Sequence, residues 1–175
     1  MNPRNDGPPG PETSKETPLG IYVDAEGDWY HDGSMILREN IIEIFVAGLN
    51  LEPSGKYTVQ CNQDRYELEA ADTPFVVSRV DRVATADPET EEIVLRFKHL
   101  TGSEPLDPST LRVGKENVLY CTVRNGHFPA RFSRPAYYQL AQWIEEDPET
   151  ERFYLDLNGI RHFIAGVRSE PLEIT

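Results

Sequence analysis

From Leu19 onward the chain alternates apolar and polar residues in short runs, and this period of two is typical of strands. The runs GIYVD and DWYHDG predict a hairpin, and a longer stretch of helical period follows them. Its apolar residues recur at a spacing that places them on one face of a helix, and they are Leu37, Ile41, Ile44, Phe45 and Leu49. Gly48, with Pro53 beyond it, marks the expected end of this helix.

Four more alternating runs follow and predict an antiparallel stretch of four strands. KYTVQCN and RYELEAA flank a turn at Gln63 and Asp64, and PFVVSRVDRVAT and EEIVLRFKHL flank the turn ADPET. Residues 101–110, TGSEPLDPST, predict a loop because Gly, Ser, Asp and Pro dominate them.

The order of predicted elements then repeats. Placing Gly27 on Gly126 aligns Trp29 with Phe128, and further along the chain Asn62 aligns with Asn158. We therefore expect an α+β protein with two similar ββαββ-type halves, each packing one helix on a mainly antiparallel sheet. The expected boundaries are an N-terminal subdomain at 19–100, a linker loop at 101–116 and a C-terminal subdomain at 117–168.

Both ends of the chain predict tails. Residues 1–18 hold five of the 14 prolines and no aromatic residue, which predicts a disordered N-terminal tail, and residues 169–175 are expected to form a C-terminal tail. No apolar run resembles a signal peptide or spans a bilayer, so we expect a cytoplasmic protein without a membrane partner. Cys61 and Cys121 lack a CxxC spacing and are expected to be reduced, buried side chains.

Several strings resemble a bacterial family catalogued as domain-of-unknown-function family 1285, namely DWYHDGSMILREN, IFVAGL, DTPFVV and VRNGHFPARFSRPAYYQL. The matching positions are Trp29, His31, Gly33, Ile36, Arg38, Phe45, Pro74, Phe75, Arg124, Gly126, Ala130, Arg131, Arg134, Tyr137 and Tyr138. The resemblance covers residues 20–165 and implies two similar α+β subdomains, a signalling or ligand-sensing role and no assigned activity. The chain departs from the family where LNGIRHFIAG replaces a Trp-Ser-Gly-type hairpin.

The distribution of charge along the chain singles out one segment. The chain has 30 Asp and Glu against 17 Lys and Arg, a net charge of −13, which argues against a nucleic-acid partner. No acidic residue occurs from Asn117 through Ile144. We call this stretch the basic island, because it contains Arg124, His127, Arg131 and Arg134.

The basic island predicts an anion site at the start of the second helix. Guanidinium groups bind carboxylates and phosphates, and Ser133 with Pro135 predicts a capped helix N-terminus, which also attracts anions. The candidate residues are Arg124, His127, Arg131, Ser133, Arg134 and Tyr137. The expected ligand is an anionic small molecule or an acidic peptide. The alternative is that these arginines pair with acidic residues of the other half and hold the two subdomains together.

Two other functional classes stay open. Asp24, Glu26, Asp28 and Asp32 surround His31, but an EF-hand loop would need other residues at its sixth and twelfth positions, so a solvated turn is favoured and no metal is predicted. His31 with Asp32, or His127, would serve as general base in a small hydrolase or isomerase. A structural, self-associating protein, which would form a homodimer, is the third class. We favour a non-enzymatic binding or regulatory module without a cofactor.

Overall fold

The computed structural model of the protein describes residues 20–166. The predicted tails at 1–18 and 169–175 lie outside the described residues. Within that range the chain forms two six-stranded sheets, one three-stranded sheet and two α-helices. The predicted α+β class is therefore confirmed, with sheet as the larger part.

The first sheet contains strands on both sides of the first helix. Its elements are β1 (Ile21–Val23), β2 (Trp29–His31), β3 (Ser34–Met35), α1 (Glu39–Ala47), β4 (Leu49–Leu51), β5 (Tyr57–Cys61) and β6 (Asp64–Ala70). The strand order is β3-β2-β1-β6-β5-β4, and all neighbours are antiparallel except β1 and β6. The parallel pair β1–β6 thus joins a three-strand unit before α1 to a three-strand unit after it.

The first helix ends where the sequence predicts but buries a different face. Gly48 caps α1, and its Cα approaches β5 so closely that a Cβ would lie 1.9 Å from the carbonyl oxygen of Gln60. Ile42, absent from the predicted stripe, is the buried residue of α1. Leu37 is 84% exposed and Ile44 is 54% exposed. The prediction of the stripe was wrong because the helix begins after Leu37 and stops before β4, so its contact with β5 centres on Ile42.

The second sheet combines the middle of the chain with the basic island. Its strands are β7 (Phe75–Ala84), β8 (Glu91–Phe97), β9 (Ser103–Pro105), β10 (Arg112–Val113), β11 (Leu119–Val123) and β12 (Phe128–Phe132). They lie in the order β10-β11-β12-β7-β8-β9, with β12 and β7 parallel. The predicted stretch of four antiparallel strands is in fact two hairpins, because β5–β6 and β7–β8 belong to different sheets. The predicted loop at 101–110 contains β9 and a 3-10 turn at Pro108–Thr110.

The second helix packs on the second sheet and not on the strands that follow it in the chain. The remaining elements are α2 (Arg134–Ala141), β13 (Ile144–Asp147), β14 (Arg152–Leu157) and β15 (Ile160–Phe163), the last three forming the third sheet. Ala136 and Leu140 of α2 are buried, and α2 contacts β7 and β12. β7 has a register shift between Val77 and Arg79, and the N–H of Val80 donates to Oε1 of Gln139 at 2.9 Å. Gln139 of α2 therefore accepts a hydrogen bond from a backbone N–H of β7, the strand that this helix covers.

The turn between β14 and β15 fastens the third sheet to β8. The N–H of Glu91 donates to Oδ1 of Asn158 at 2.8 Å, and Nδ2 of Asn158 donates to the carbonyl oxygen of Glu91 at 2.8 Å. A single amide side chain thus makes the two hydrogen bonds that a neighbouring strand would make.

The strands around α2 follow the same order as those around α1. β10, β11 and β12 precede α2, β13, β14 and β15 follow it, and a parallel bridge between Arg112 and Ala165 links the two groups. Each helix therefore has three strands on either side, not the two that the sequence predicts. In this order Gly126, between β11 and β12, takes the place of Gly33 and not of Gly27. Buried residues from both parts form one hydrophobic core.

Candidate anion-binding cleft

A cleft of about 940 Å³ opens where α2 begins. Its walls come from the turn between β1 and β2, from β7, from the end of β12, from residues 116–119 and from the first turn of α2. Arg131, Ser133, Arg134 and Tyr137 line it, so the structure brings four of the six predicted site residues together.

The start of α2 is capped as the sequence predicts, and the cap uses most of its free donors. Oγ of Ser133 accepts from the N–H of Ala136 at 3.3 Å, and the carbonyl oxygen of Ser133 accepts from the N–H of Tyr137 at 2.9 Å. Pro135 has no N–H. The N–H of Arg134 is the first-turn donor that the cap leaves unused. A ligand at this helix start would therefore depend on side chains more than on the helix backbone.

Two of the three cations that line the cleft are neutralised. Nζ of Lys98 lies 2.9 Å from Oδ1 of Asp28 and donates to the carbonyl oxygen of Glu26 at 3.1 Å. Nη1 of Arg131 lies 3.1 Å from Oδ2 of Asp72. By contrast, the exposed side chain of Arg134 has no carboxylate within 4.0 Å among residues 20–166. Arg134 is therefore the cleft cation that is available to a ligand.

Arg131 belongs to a polar network that joins the two parts of the chain. The hydroxyl of Tyr120 donates to Asp72 at 2.8 Å, and the N–H of Arg131 donates to Oγ1 of Thr73 at 3.2 Å. Burial, and then the hydrogen bond to Asp72, raises the pKa of Tyr120. The guanidinium of Arg112 lies 4.5 Å from the centre of the Tyr120 ring. For Arg131, the geometry thus matches the alternative interpretation, in which an arginine pairs with an acidic residue of the other half.

Arg124 and His127 lie outside the cleft, at the turn between β11 and β12. Nε of Arg124 is 3.4 Å from Oε2 of Glu104, and its backbone N–H donates to Oε1 of Glu104 at 2.7 Å. Nδ1 of His127 lies 2.7 Å from the carbonyl oxygen of Arg124. The basic island is continuous in sequence but divided in space, because β12 separates this turn from the start of α2.

Aromatic side chains form one wall of the cleft. The rings of Tyr137 and Tyr138 meet edge to face with centroids 5.5 Å apart, and both residues line the cleft. Tyr137 is 39% exposed and Tyr138 is 68% exposed. The buried Phe132 also contributes to the lining. The cleft therefore offers apolar surface beside its free guanidinium.

The alternative acid/base pair lies elsewhere and is open to solvent. Nε2 of His31 is 3.9 Å from Oδ2 of Asp32, and about half of each side chain is exposed. Oδ1 of Asp32 accepts from the N–H of Gly20 at 3.0 Å, which uses this carboxylate to hold the turn between β2 and β3. Neither residue lines the cleft.

Sequence reasoning missed three charged residues that line the cleft, Glu26, Lys98 and Glu116. It also missed the contact between Nε2 of His99 and Oδ1 of Asp28, at 2.7 Å. The hydrogen bonds from His99 and Lys98 lower the pKa of Asp28. All these residues sit in turns or just after strands, and no spacing in the sequence relates them. Only the fold brings them to one place.

No group of three or more His, Cys, Asp or Glu side chains in residues 20–166 could hold a metal ion, and no helix in this range is long and apolar enough to cross a membrane. Cys121 is buried as expected, and burial raises the pKa of its thiol to about 12. Cys61 is only half-buried.

Fold and cleft together define a mixed α+β protein with a partly charged, partly aromatic cleft between its sheets. Two solved structures share this fold. One is a DUF1285 family protein from Silicibacter pomeroyi DSS-3, with a TM-score of 0.66 and 18% identity over 84% of this chain and 79% of that chain. The other is a DUF1285 family protein from Shewanella baltica OS155, with a TM-score of 0.59 and 17% identity over 73% of this chain and 93% of that chain.

These comparisons confirm the resemblance at the level of the fold, which is DUF1285-like. At such identities the likeness carries no information about a ligand. No family model matches the sequence, and no curated protein matches it.

Proposed function

We propose that the protein is a cytoplasmic binding or regulatory module that takes the anionic group of a ligand at Arg134. One observation carries this proposal. Arg134 is an exposed cation in a cleft of about 940 Å³ and has no carboxylate within 4.0 Å among the described residues. A guanidinium group in such a position presents several N–H donors that fit a carboxylate or a phosphate.

The location of Arg134 supports the same proposal. A positive residue in the first turn of a helix is unfavourable by about 0.3–1 kcal/mol because it faces the positive end of the helix dipole. In α2 no acidic residue in the first turn compensates for it. A bound anion would remove this cost, so the helix start and the guanidinium would both favour its binding.

A thermal-shift screen with phosphate, AMP, citrate and benzoate tests the proposal. A compound at about ten times its Kd should raise Tm by about 3–6 °C. The rise should vanish in Arg134→Ala. The matched control is Arg38→Ala, which removes an exposed arginine that stands at the start of α1 and away from the cleft.

Arg38→Ala should leave the rise unchanged. A shift that survives in Arg134→Ala would overturn the proposal, and so would the absence of a shift both from the four anions and from the zwitterion phenylalanine.

A further inference from the structure

Two carboxylates in the cleft lack any cationic partner in the described part of the chain. Glu26 and Glu116 line the cleft, both are exposed, and neither has a Lys, Arg or His nitrogen within 4.0 Å in residues 20–166. Lys98 donates a hydrogen bond to the backbone oxygen of Glu26, and its ammonium group forms an ion pair with the carboxylate of Asp28. The cleft thus presents unpaired charge of both signs.

The turn that carries Glu26 packs against β7. The N–H of Gly27 donates to the carbonyl oxygen of Asp24 at 3.1 Å. Gly27 has φ +86° and packs against Val76, where a Cβ would lie 2.7 Å from Cγ2 of that side chain. Glu116 has φ +57°, in the left-handed region. Glu26 and Glu116 thus lie in two connections between strands, β1–β2 and β10–β11, that both reach the cleft.

Charge balance restricts the ligand. With Lys98 and Arg131 neutralised by Asp28 and Asp72, the lining keeps one positive side chain, Arg134, against the two glutamates. A purely anionic ligand would gain from the arginine but would be repelled by the carboxylates. A ligand with one anionic group and one cationic group would satisfy both.

We propose that the cleft binds a zwitterion with a free amine and a carboxylate, namely an amino acid or a short peptide. The carboxylate lies at Arg134, the ammonium lies between Glu26 and Glu116, and an apolar side chain lies against Tyr137 and Tyr138. This inference rests on the proposed function of the same cleft. A volume of about 940 Å³ has room for a short peptide as well as for one amino acid.

Calorimetric titration of the full chain tests this inference with three probes, phenylalanine, Ala-Phe and Ala-Ala-Phe. Each is compared with its N-acetyl form, which keeps the carboxylate and loses the ammonium. At least one free-amine probe should bind about ten times more tightly than its acetylated form. The tightest of the three shows whether the site prefers an amino acid or a peptide.

The double variant Glu26→Gln, Glu116→Gln should remove this preference and leave the two forms within about twofold of each other. The matched control is Glu145→Gln with Glu146→Gln, which removes two acidic side chains of β13 that do not line the cleft. Circular dichroism of each variant shows that it is folded. A preference that persists in the double cleft variant would overturn the inference.

The remaining outcomes separate this inference from the proposed function. If the acetylated probes bind at Arg134 as tightly as the free-amine probes do, the zwitterion inference is overturned and the proposed anion site stands. No binding by any of the six compounds would overturn the zwitterion. The proposed function would fail with it only if the anion screen also showed no dependence on Arg134.

Discussion

The two helices stand at equivalent places in the strand order, yet they pack on different partners. α1 packs on β5 of the first sheet. The three strands before α1 are joined to the three strands after it by three residue pairs between β1 and β6. Around α2 a single bridge between Arg112 and Ala165 links β10–β12 to the strands that follow the helix, and β12 also pairs with β7. The second arrangement moves the start of α2 to the middle strands of the second sheet.

This difference explains where the cleft lies. Because β12 pairs with β7, the chain leaves the second sheet at Ser133, whose N–H donates to the carbonyl oxygen of Val77 at 2.9 Å. The first turn of α2 then lies beside the beginning of β7, and the turn that carries Glu26 lines the same cleft. The pairing of β12 with β7 thus brings the start of α2 and the turn between β1 and β2 to one cleft.

Removing the buried anchor of either helix should have the largest effect. Ile42→Ala in α1 and Leu140→Ala in α2 each empty a fully buried position and should lower the free energy of unfolding by about 2–5 kcal/mol. Urea denaturation followed by fluorescence and by circular dichroism measures both. Because the two residues belong to one core, each variant should unfold in a single transition.

The control for the core variants is Ile44→Ala, which changes an exposed isoleucine of α1 and should cost less than about 1 kcal/mol. Separate transitions for the two spectroscopic probes would show that the halves unfold independently, contrary to this expectation.

The hydrophobic pattern along the chain predicted the helices and strands better than it predicted which strands pair. The turns at Asn62 and Asn158 both have positive φ, and the alternating runs around them form the hairpins expected of them. The two-residue strand β3 was missed because so short a segment has no measurable period. The parallel pairs could not be predicted, since period-two alternation is the same whichever strand lies alongside.

The candidate site was predictable only in part, for the same reason. Ser133, Arg134 and Tyr137 are close in sequence, so one local signal, a capped helix start, identified them. The pairing of Arg131 with Asp72 and the presence of Glu26 depend on contacts between the two parts of the chain. An ionic partner that is distant in sequence leaves no trace in composition or spacing.

The turn between β1 and β2 should be more sensitive to acid than its counterpart between β10 and β11. Hydrogen bonds from His99 and Lys98 lower the pKa of Asp28 from its ordinary value of 3.8. The carboxylate therefore stabilises the fold above that pH, and this contribution is lost as the pH falls below it. Asp28→Asn should cost about 1–2 kcal/mol at pH 7.

Urea denaturation across pH 2–7 measures this effect, and the gap between wild type and Asp28→Asn should close at the acid end. Glu116→Gln, in the counterpart turn, is the control and should show no such gap. A gap for Asp28→Asn that stays constant with pH would contradict the assignment of its stabilising effect to the charged carboxylate.

The two helix starts should respond in opposite directions to cap substitutions, with the smallest effects. Arg38 precedes α1 with extended backbone and no side-chain cap, whereas Ser133 caps α2. Arg38→Ser should raise the free energy of unfolding by about 0.5–1 kcal/mol, and Ser133→Ala should lower it by about 1 kcal/mol. Thermal denaturation measures both, and a stabilising effect of Ser133→Ala would rule out the capping role.

The amide of Asn158 has a consequence for association between chains. A strand edge with unpaired N–H and C=O groups is a template onto which another polypeptide can add. At Glu91 both of these groups are already taken by one side chain. Asn158 therefore blocks the addition of another strand at that point of the sheet. Replacing it with alanine would open a place where a second molecule could attach, so the protein would lose colloidal stability at high concentration before it lost its fold.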